Sequence, residues 1–178
     1  KIFFIASILL FFITACKQEK KVNETKLEGL VFGTTYHITY LDNVDYQKSI
    51  DSLFYLANKS LSTYIPTSDI SKINKGDSTV VIDDLFLEVF QKSKRIYKET
   101  DGYFDPTVCN LVNAWGFGYK REKKDLDTLQ VNELMKQVGL DKVGLKGRNV
   151  QKQFKDACLD FNSIAKGYGI DVVGRFLE

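Results

Sequence analysis

The sequence predicts an α+β fold, in which helices and short strands follow one another without a regular strand–helix–strand alternation. Residues 83–100 carry apolar side chains at helical spacing. Residues 30–40 alternate between apolar and polar side chains, as a strand does. Segments 142–145 and 150–154 flank a Lys-Gly-Arg-Asn turn and predict a hairpin.

The helices are predicted from their spacing and their end signals. Over residues 45–60, apolar side chains recur every three or four positions, and Asp45 is expected to cap the start. The helix over 83–100 begins at an aspartate and ends just before Gly102. Two further helices are predicted, over residues 131–138 and from Ser163 onward.

Three short runs are predicted to be strands, over residues 30–40, 79–82 and 157–161. Gly33 lies inside the first run and allows a bulge or a close backbone approach there. Two segments are predicted to be irregular, the polar stretch 61–76 and the aromatic stretch 103–118.

Composition and charge exclude some classes of function. The chain of 178 residues is long enough for one hydrophobic core, and its net charge is only +2 with both signs well mixed. A nucleic-acid binder would show a basic stripe, so we expect no nucleic-acid partner. The sequence lacks G-x-x-x-x-G-K-[ST] and G-x-G-x-x-G, the usual nucleotide loops. The lone histidine, His37, is expected to have a structural role.

The start of the chain has the pattern of a bacterial lipoprotein signal. Lys1 precedes an apolar run over residues 2–13, which is shorter than the roughly 20 residues of a transmembrane helix. Ile13-Thr14-Ala15-Cys16 resembles a lipobox, in which Cys16 would carry the lipid. We therefore expect an exported, membrane-anchored protein on the periplasmic side. An ordinary signal peptide with a chance cysteine is the alternative.

After Cys16 the sequence divides into two parts. Residues 17–26 are polar and charged and predict a solvated tether, and residues 27–178 predict the globular domain. The chain has no initiator methionine and stops inside the predicted last helix. We therefore expect it to be the N-terminal part of a longer protein, with some groups of the site outside it.

The two remaining cysteines, Cys109 and Cys158, allow two interpretations. An exported protein can join them as a disulfide. Two isolated buried thiols are the alternative, because free cysteine behaves as a small apolar residue.

An aromatic cluster suits a flat ligand. Residues 102–107 read Gly-Tyr-Phe-Asp-Pro-Thr, and residues 115–118 read Trp-Gly-Phe-Gly. Aromatic side chains among glycines allow a planar ring to lie against the backbone. A buried aromatic turn without a ligand is the alternative.

A second cluster, over residues 160–171, suits an anion. A predicted strand ends at Asp160, and a helix begins near Ser163. The free N–H groups of a helix start bind phosphate, and Lys166 would add a positive charge one turn later. Asp160 or the Ser163 region would offer oxygen ligands to Mg²⁺. The alternative is an ordinary capped helix with a solvated lysine.

Taken together, the motifs resemble those of the FAD:protein FMN transferases, the ApbE family. The resemblance covers nearly all of the chain after the tether. The matching segments are Phe32-Gly33-Thr34, residues 61–74, residues 102–107 with 115–118, and residues 159–171.

The resemblance implies a fold of the ApbE type and a site for FAD and Mg²⁺. Ser163 matches a position that binds Mg²⁺, often through its carbonyl oxygen, and Asp171 is expected to help orient the site. The family's other Mg²⁺ ligands belong to a later segment. In two places the sequence departs from the family, with Phe32 in place of methionine and Asn162-Ser163 in place of Gly-Gly. The positions implied to contact FAD are Phe32, Tyr64, Tyr103, Phe104, Asp105, Asp160 and Lys166.

The implied activity is Mg²⁺-dependent transfer of the FMN half of FAD to a threonine hydroxyl of a target flavoprotein, with release of AMP. In the family the target is often a subunit of a respiratory redox pump. One alternative is an Mg²⁺-dependent FAD pyrophosphatase, in which water replaces the threonine. A flavin-binding lipoprotein without catalysis and a structural surface lipoprotein are the others.

Overall fold

The computed structural model describes residues 22–119 and 125–178. The predicted signal segment, Cys16 and the start of the predicted tether lie outside these residues. Within them, no helix combines the length and the apolar character needed to cross a bilayer.

The described residues form antiparallel strands and helices in mixed order, which confirms the α+β prediction. Strand β1 pairs with β2 and strand β3 with β4, as separate two-stranded sheets. A short 3₁₀ turn over Leu140–Lys142 precedes β3. The elements are β1 Glu24–Val31, β2 Thr34–Leu41, α1 Gln47–Leu61, α2 Asp69–Asn74, α3 Asp84–Glu99, α4 Cys109–Ala114, α5 Thr128–Met135, β3 Val143–Lys146, β4 Asn149–Lys152 and α6 Asn162–Leu177.

The predicted single strand over 30–40 is wrong, because the chain turns back on itself there. Phe32 and Gly33 have φ angles of 51° and 74°, and they connect β1 to β2 as the two residues of a tight hairpin turn. Positive φ at both central residues is typical of the turn that suits the twist of paired strands. Strand β1 begins at Glu24, so residues 24–26 belong to the sheet and not to the tether.

The predicted strands over 79–82 and 157–161 are also wrong. In the described residues neither segment has a strand beside it. Their backbone groups pair with loops and side chains instead, as in the 2.9 Å hydrogen bond from the Ile82 N–H to the Arg148 carbonyl. β-branched and apolar runs of this length predict burial, and burial alone does not supply a partner strand.

The two long predicted helices are confirmed as α1 and α3, with one error at a helix start. The Asp83 carboxylate caps α3 by accepting a 2.8 Å hydrogen bond from the Phe86 N–H. Asp45 is not the capping residue of α1, because Tyr46 occupies that position. The Asp45 carboxylate instead accepts a 2.8 Å hydrogen bond from the Gln47 N–H.

Three shorter helices differ from the sequence prediction. Helix α4 lies inside the aromatic stretch 103–118, which the sequence predicts to be irregular. Helix α2 lies inside the predicted connector 61–76, where the Ser68 hydroxyl caps it by accepting from the Ser71 N–H at 3.2 Å. Helix α5 begins earlier than predicted, because Asp127 and Gln130 form a capping box at its start. The hairpin β3–β4 and the last helix are confirmed.

The core consists of two hydrophobic clusters that meet at α6. In the larger cluster the fully buried rings of Phe86 and Phe161 pack edge to face, with centroids 5.3 Å apart. The smaller cluster lies under the β1–β2 hairpin and includes Phe54. Tyr168 belongs to the larger cluster and Val173 to the smaller one, so α6 packs on both.

Candidate functional site

A cleft of about 710 Å³ opens between the β1–β2 turn, the end of α1 and the start of α6. Three of the residues that the family resemblance assigned to FAD, Phe32, Tyr64 and Lys166, line it together. Its volume falls within the roughly 300–1,000 Å³ of small-molecule sites. Asn58 and Asn162 add polar groups to the lining.

Phe32 forms one apolar end of the cleft. Its ring packs edge to face on Phe54, with centroids 5.6 Å apart. The ring also lies directly over Gly169, where an added Cβ would be only 2.7 Å from the Phe32 ring. A positive φ is unfavourable for a phenylalanine, so this ring packing helps to offset the cost of the turn conformation.

Tyr64 lies at the rim on the loop after α1, with 57% of its surface exposed. The loop is anchored on both sides of the tyrosine. The Ser62 carbonyl accepts a 2.7 Å hydrogen bond from the Ser68 hydroxyl. The buried Thr63 hydroxyl accepts a 3.1 Å hydrogen bond from the Asn162 amide, which joins this wall to α6. A held, half-exposed aromatic ring suits packing against a flat ligand.

The start of α6 forms the polar wall. Asn162, Ala165 and Lys166 lie on one face because they are three and four residues apart. Helix starts carry partial positive charge from their free N–H groups. Lys166 is exposed and has no ion-pair partner in residues 22–119 or 125–178. The cleft therefore combines aromatic surface with the charge of Lys166, while the Asp160 carboxylate takes up the first N–H group of the helix.

Asp160 and Ser163 flank this wall and lie outside the cleft lining. The Asp160 carboxylate accepts a 2.8 Å hydrogen bond from the Asn162 N–H, so it is fixed at the start of α6. Burial, together with the negative charge of Asp160, raises the pKa of the Tyr119 phenol. Ser163 is exposed in the first turn.

Tyr103, Phe104 and Asp105 also lie outside the lining of this cleft. Tyr103 is 96% exposed. The Asp105 carboxylate accepts hydrogen bonds of 2.8 and 2.6 Å from the backbone N–H and the hydroxyl of Thr107. The loop nevertheless contacts the segment that carries Asp160, because the Pro106 carbonyl accepts a 2.8 Å hydrogen bond from the Asp160 N–H. The predicted FAD residues thus form two groups that meet at Asp160.

A disulfide joins Cys109 and Cys158, for which the sequence allowed either a disulfide or two free thiols. Cys109 and Cys158 are bonded, with their Cα atoms 5.4 Å apart. Both are buried, at 1% and 5% exposure. The bond ties α4, which follows the loop of Tyr103 and Asp105, to the segment that leads into Asp160. It therefore fixes the two groups of site residues to each other.

The oxygen atoms near α6 fit Mg²⁺ only in the company of a phosphate ligand. In the part of the chain that the structure describes, no three His, Cys, Asp or Glu side chains converge on one point. Mg²⁺ usually takes one or two protein carboxylates and completes its shell with water and phosphate oxygens. Asp160 offers a carboxylate beside the helix start, and Ser163 offers hydroxyl and carbonyl oxygens.

The sequence alone did not identify Asn58 and Thr63 as site residues. For His37 it predicted a structural role without a location. Asn58 lines the cleft and is a polar residue within the apolar stripe of α1. This polar residue in an apolar stripe could have indicated a functional position. Thr63 is 4% exposed, and nothing in its sequence context indicated its bond to Asn162. His37 lies exposed on β2, with its Nδ1 3.6 Å from a Glu28 oxygen and away from the cleft.

The fold and the cleft define an α+β protein whose cleft is lined by aromatic side chains and a lysine. Residues 32–178 match the sequence profile of the ApbE family. The chain belongs to the ApbE family.

Similar proteins agree with this assignment. The chain is 33% identical to the FAD:protein FMN transferase of Haemophilus influenzae, over 98% of this chain and 54% of that protein. It is 32% identical to that of Vibrio cholerae, with the same two coverages of 98% and 54%. The chain thus spans about half the length of the curated relatives it matches.

Solved structures share the fold. The structure of the flavin transferase ApbE from Vibrio cholerae superposes with a TM-score of 0.80 at 31% identity, covering 88% of this chain and 53% of that one. The apo flavinyl transferase ApbE from Pseudomonas stutzeri gives a TM-score of 0.81 at 25% identity, covering 89% and 56%. The predicted ApbE-like fold is confirmed for the described residues.

Proposed function

We propose that this protein is an FAD:protein FMN transferase and that the described residues hold the FAD. One observation carries the proposal: the cleft combines the aromatic residues Phe32 and Tyr64 with the cationic Lys166 of α6. FAD has the matching chemistry, with a flat tricyclic ring at one end and a pyrophosphate in the middle. Membership of the ApbE family supports the same activity.

Each wall of the cleft has a separate role. Tyr64 and Phe32 hold a planar ring between apolar surfaces, and the exposed edge of Tyr64 lets the ring enter without rearrangement of the core. Lys166, in the first turns of α6, attracts and orients the pyrophosphate. Asn162 keeps the two walls together through its hydrogen bond to Thr63.

Asp160 and Ser163 would hold Mg²⁺ beside the pyrophosphate. When bound, the cation would neutralise the negative charge of the pyrophosphate. Asp160 suits this task because the Asn162 N–H fixes its carboxylate at the start of the same helix. The hydrogen bond from the Asp160 N–H to the Pro106 carbonyl holds it from the other side. Asp105 and its neighbours complete this region from the adjoining loop.

The proposed reaction moves FMN from AMP to a protein. A threonine hydroxyl oxygen of the target forms a bond to the FMN phosphorus. The bond from that phosphorus to the bridging oxygen of the pyrophosphate breaks, AMP leaves with that oxygen, and the hydroxyl proton passes to solvent. Such a transfer depends mainly on positioning and on charge stabilisation, which Lys166 supplies.

We also propose where the protein acts. Lipid on Cys16 would anchor it to a membrane on the periplasmic side, with the segment before β1 as the tether. The target would be a flavoprotein facing the same compartment, such as a subunit of a respiratory redox pump. The Cys109–Cys158 disulfide supports an oxidising compartment.

The test uses the full-length protein without its lipid segment, mixed with FAD, Mg²⁺ and an acceptor flavoprotein domain that carries the target threonine. Intact mass of the acceptor and chromatography of the nucleotides are measured. We expect the acceptor to gain the mass of one FMN, AMP to appear in equal amount, and EDTA to abolish both. An acceptor variant with alanine for the target threonine is the control.

The other outcomes separate the alternatives. AMP with free FMN, and no modified acceptor, indicates an FAD pyrophosphatase. Intact FAD that stays bound without products indicates a flavin-binding lipoprotein. A protein that takes up no flavin overturns the proposal and leaves a structural lipoprotein.

A further inference from the structure

The segment 157–161, which leads into the site, is buried but belongs to no sheet. Leu159 and Phe161 are completely buried, and Ala157 is 1% exposed. Buried backbone N–H and C=O groups are almost always paired, because an unpaired one loses its hydrogen bonds to water. Without a neighbouring strand in the described residues, these groups must find partners elsewhere.

One side chain supplies both partners of Leu159. The Asn74 side-chain amide donates a 2.8 Å hydrogen bond to the Leu159 carbonyl. The Leu159 N–H donates a 2.8 Å hydrogen bond back to the Asn74 side-chain oxygen. The pair of bonds joins residues 85 positions apart and has the form of a bonded pair in an antiparallel ladder. Asn74 therefore replaces the missing strand at this point.

The position of Asn74 is itself well fixed. Asn74 is the last residue of α2, whose isoleucines Ile70 and Ile73 are 0% and 4% exposed. The Ser68 hydroxyl caps the helix and also bonds to the Ser62 carbonyl in the cleft wall. Asn74 thus connects the wall that carries Tyr64 to the segment that carries Asp160.

We infer that Asn74 is a positioning residue for the FAD site, a role that rests on the proposed function. Asn74 does not line the cleft. It acts through Leu159, whose next residue is Asp160 and whose segment continues into the first turn of α6. When both bonds to Leu159 are lost, the buried backbone groups must shift towards new partners. Asp160 and Lys166 then lose the spacing that matches the pyrophosphate.

The backbone just before this segment offers a matched control. The Asn110 side-chain amide donates a 2.7 Å hydrogen bond to the Asp156 carbonyl, one residue before the segment, and another to the Gln137 side chain. Asn110 lies outside the cleft lining. Asn110→Ala therefore removes a tie of the same chemical kind without reaching Asp160.

The experiment compares Asn74→Ala, Asn74→Asp and Asn110→Ala in the full-length protein. Asp has the shape of Asn and keeps the acceptor for the Leu159 N–H but loses the donor. FAD binding is titrated by quenching of flavin fluorescence well below the melting temperature of each variant. We expect Kd for FAD to rise about 10-fold or more in Asn74→Ala, less in Asn74→Asp, and to stay unchanged in Asn110→Ala.

Kinetics separate positioning from general loss of stability. With the acceptor present, Asn74→Ala should raise KM for FAD and also lower kcat, because Asp160 and Lys166 serve the transfer step as well. A smaller folded fraction would lower kcat alone. Wild-type affinity in both Asn74 variants overturns the inference, as does an equal loss in Asn110→Ala. If Asn74→Ala does not fold, Asn74→Asp decides alone. Failure of the wild-type protein to bind FAD contradicts the proposed function instead, so the two failures are distinguishable.

Discussion

The two faces of α6 treat their charged residues in opposite ways. Towards the cleft, Lys166 is exposed and has no partner among the described residues. On the other face, Arg175 donates hydrogen bonds of 2.8 and 3.3 Å to the two oxygens of Glu88 on α3. The Tyr168 hydroxyl donates a third, at 2.7 Å, to the same carboxylate.

The difference separates residues that hold the fold from residues that we propose bind FAD. The hydrogen bonds from Arg175 lower the pKa of the Glu88 carboxyl to about 2, and the bond from Tyr168 adds to this effect. Burial and the Glu88 carboxylate raise the pKa of the Tyr168 phenol above its usual value. On this face, Glu88, Tyr168 and Arg175 satisfy one another within the protein. The cleft face has Lys166 without an ion-pair partner among residues 22–119 and 125–178.

Lys166→Ala gives the largest expected effect. The substitution removes a charge-assisted contact to the pyrophosphate, and such contacts contribute about 1.5–3 kcal/mol. Kd for FAD should therefore rise about 10- to 100-fold, measured by flavin fluorescence. The melting temperature should hardly change, because Lys166 has no ion-pair partner among the residues that the structure describes. Lys166→Arg keeps the charge and should recover part of the affinity; unchanged FAD binding in Lys166→Ala would break the comparison.

Gly169→Ala tests the cleft face through packing. The new Cβ would lie 2.7 Å from the Phe32 ring and must displace it from its place at the end of the cleft. Overpacking of this kind costs about 1–3 kcal/mol, so we expect weaker FAD binding and a lower free energy of unfolding by denaturant titration.

Gly167→Ala is the matched control for that variant. A Cβ at Gly167 meets no atom within 4 Å, although it lies on the same helix. Alanine favours a helix over glycine by roughly 1 kcal/mol, so this control should be as stable as the wild type or more stable. FAD affinity that is equal in the two variants would show that the Phe32 ring does not shape the site.

Glu88→Gln tests the other face. The substitution keeps the shape of the side chain and removes its charge, so the bonds from Arg175 and Tyr168 weaken. Because Glu88 is about one-third exposed, solvent screens the interaction, and we expect a loss of about 1 kcal/mol in the free energy of unfolding. Calorimetry measures the lower melting temperature. FAD affinity should not change, and a loss comparable to that of Lys166→Ala would remove the distinction between the faces.

The pH dependence of stability gives a smaller effect, which tests whether the ionised Glu88 carboxylate stabilises the fold. The pKa of Glu88 is lowered from its usual value of 4.5 to about 2 in the folded protein. Its contribution is therefore present above the unfolded pKa and is lost as pH falls towards the folded one. The difference in melting temperature between wild type and Glu88→Gln should be constant near neutral pH and shrink below about pH 4.5. A difference that grows on acidification would contradict the assignment.

Much of the fold could be predicted from the sequence because its helices carry local signals. Helix α3 shows a regular apolar stripe and an aspartate cap, and both are where the pattern placed them. The β1–β2 hairpin was missed because its turn contains Phe32, a residue type that rarely adopts positive φ. The packing of that ring on Gly169 and Phe54 compensates for the turn, and this contact is not visible in the local sequence.

The site could be predicted only in part for a similar reason. Phe32, Tyr64 and Lys166 were identified by motif, and the structure brings them to one cleft. Asn74 and Thr63 act through hydrogen bonds to residues 85 and 99 positions away. No periodicity or spacing encodes such pairs. Asp105 was placed with the FAD residues, whereas its loop lies outside the cleft lining and meets the others only at Asp160.

Hydrogen exchange with and without FAD tests the central claim most directly. One experiment reports on the cleft face of α6 and on α3, which packs against its other face. The full-length protein is exchanged into heavy water with saturating FAD and without it, and peptides are compared by mass. We predict slower exchange over residues 58–65 and 160–167 and no change over residues 84–95 of α3. Protection of 84–95 without protection of the two cleft segments would contradict the account.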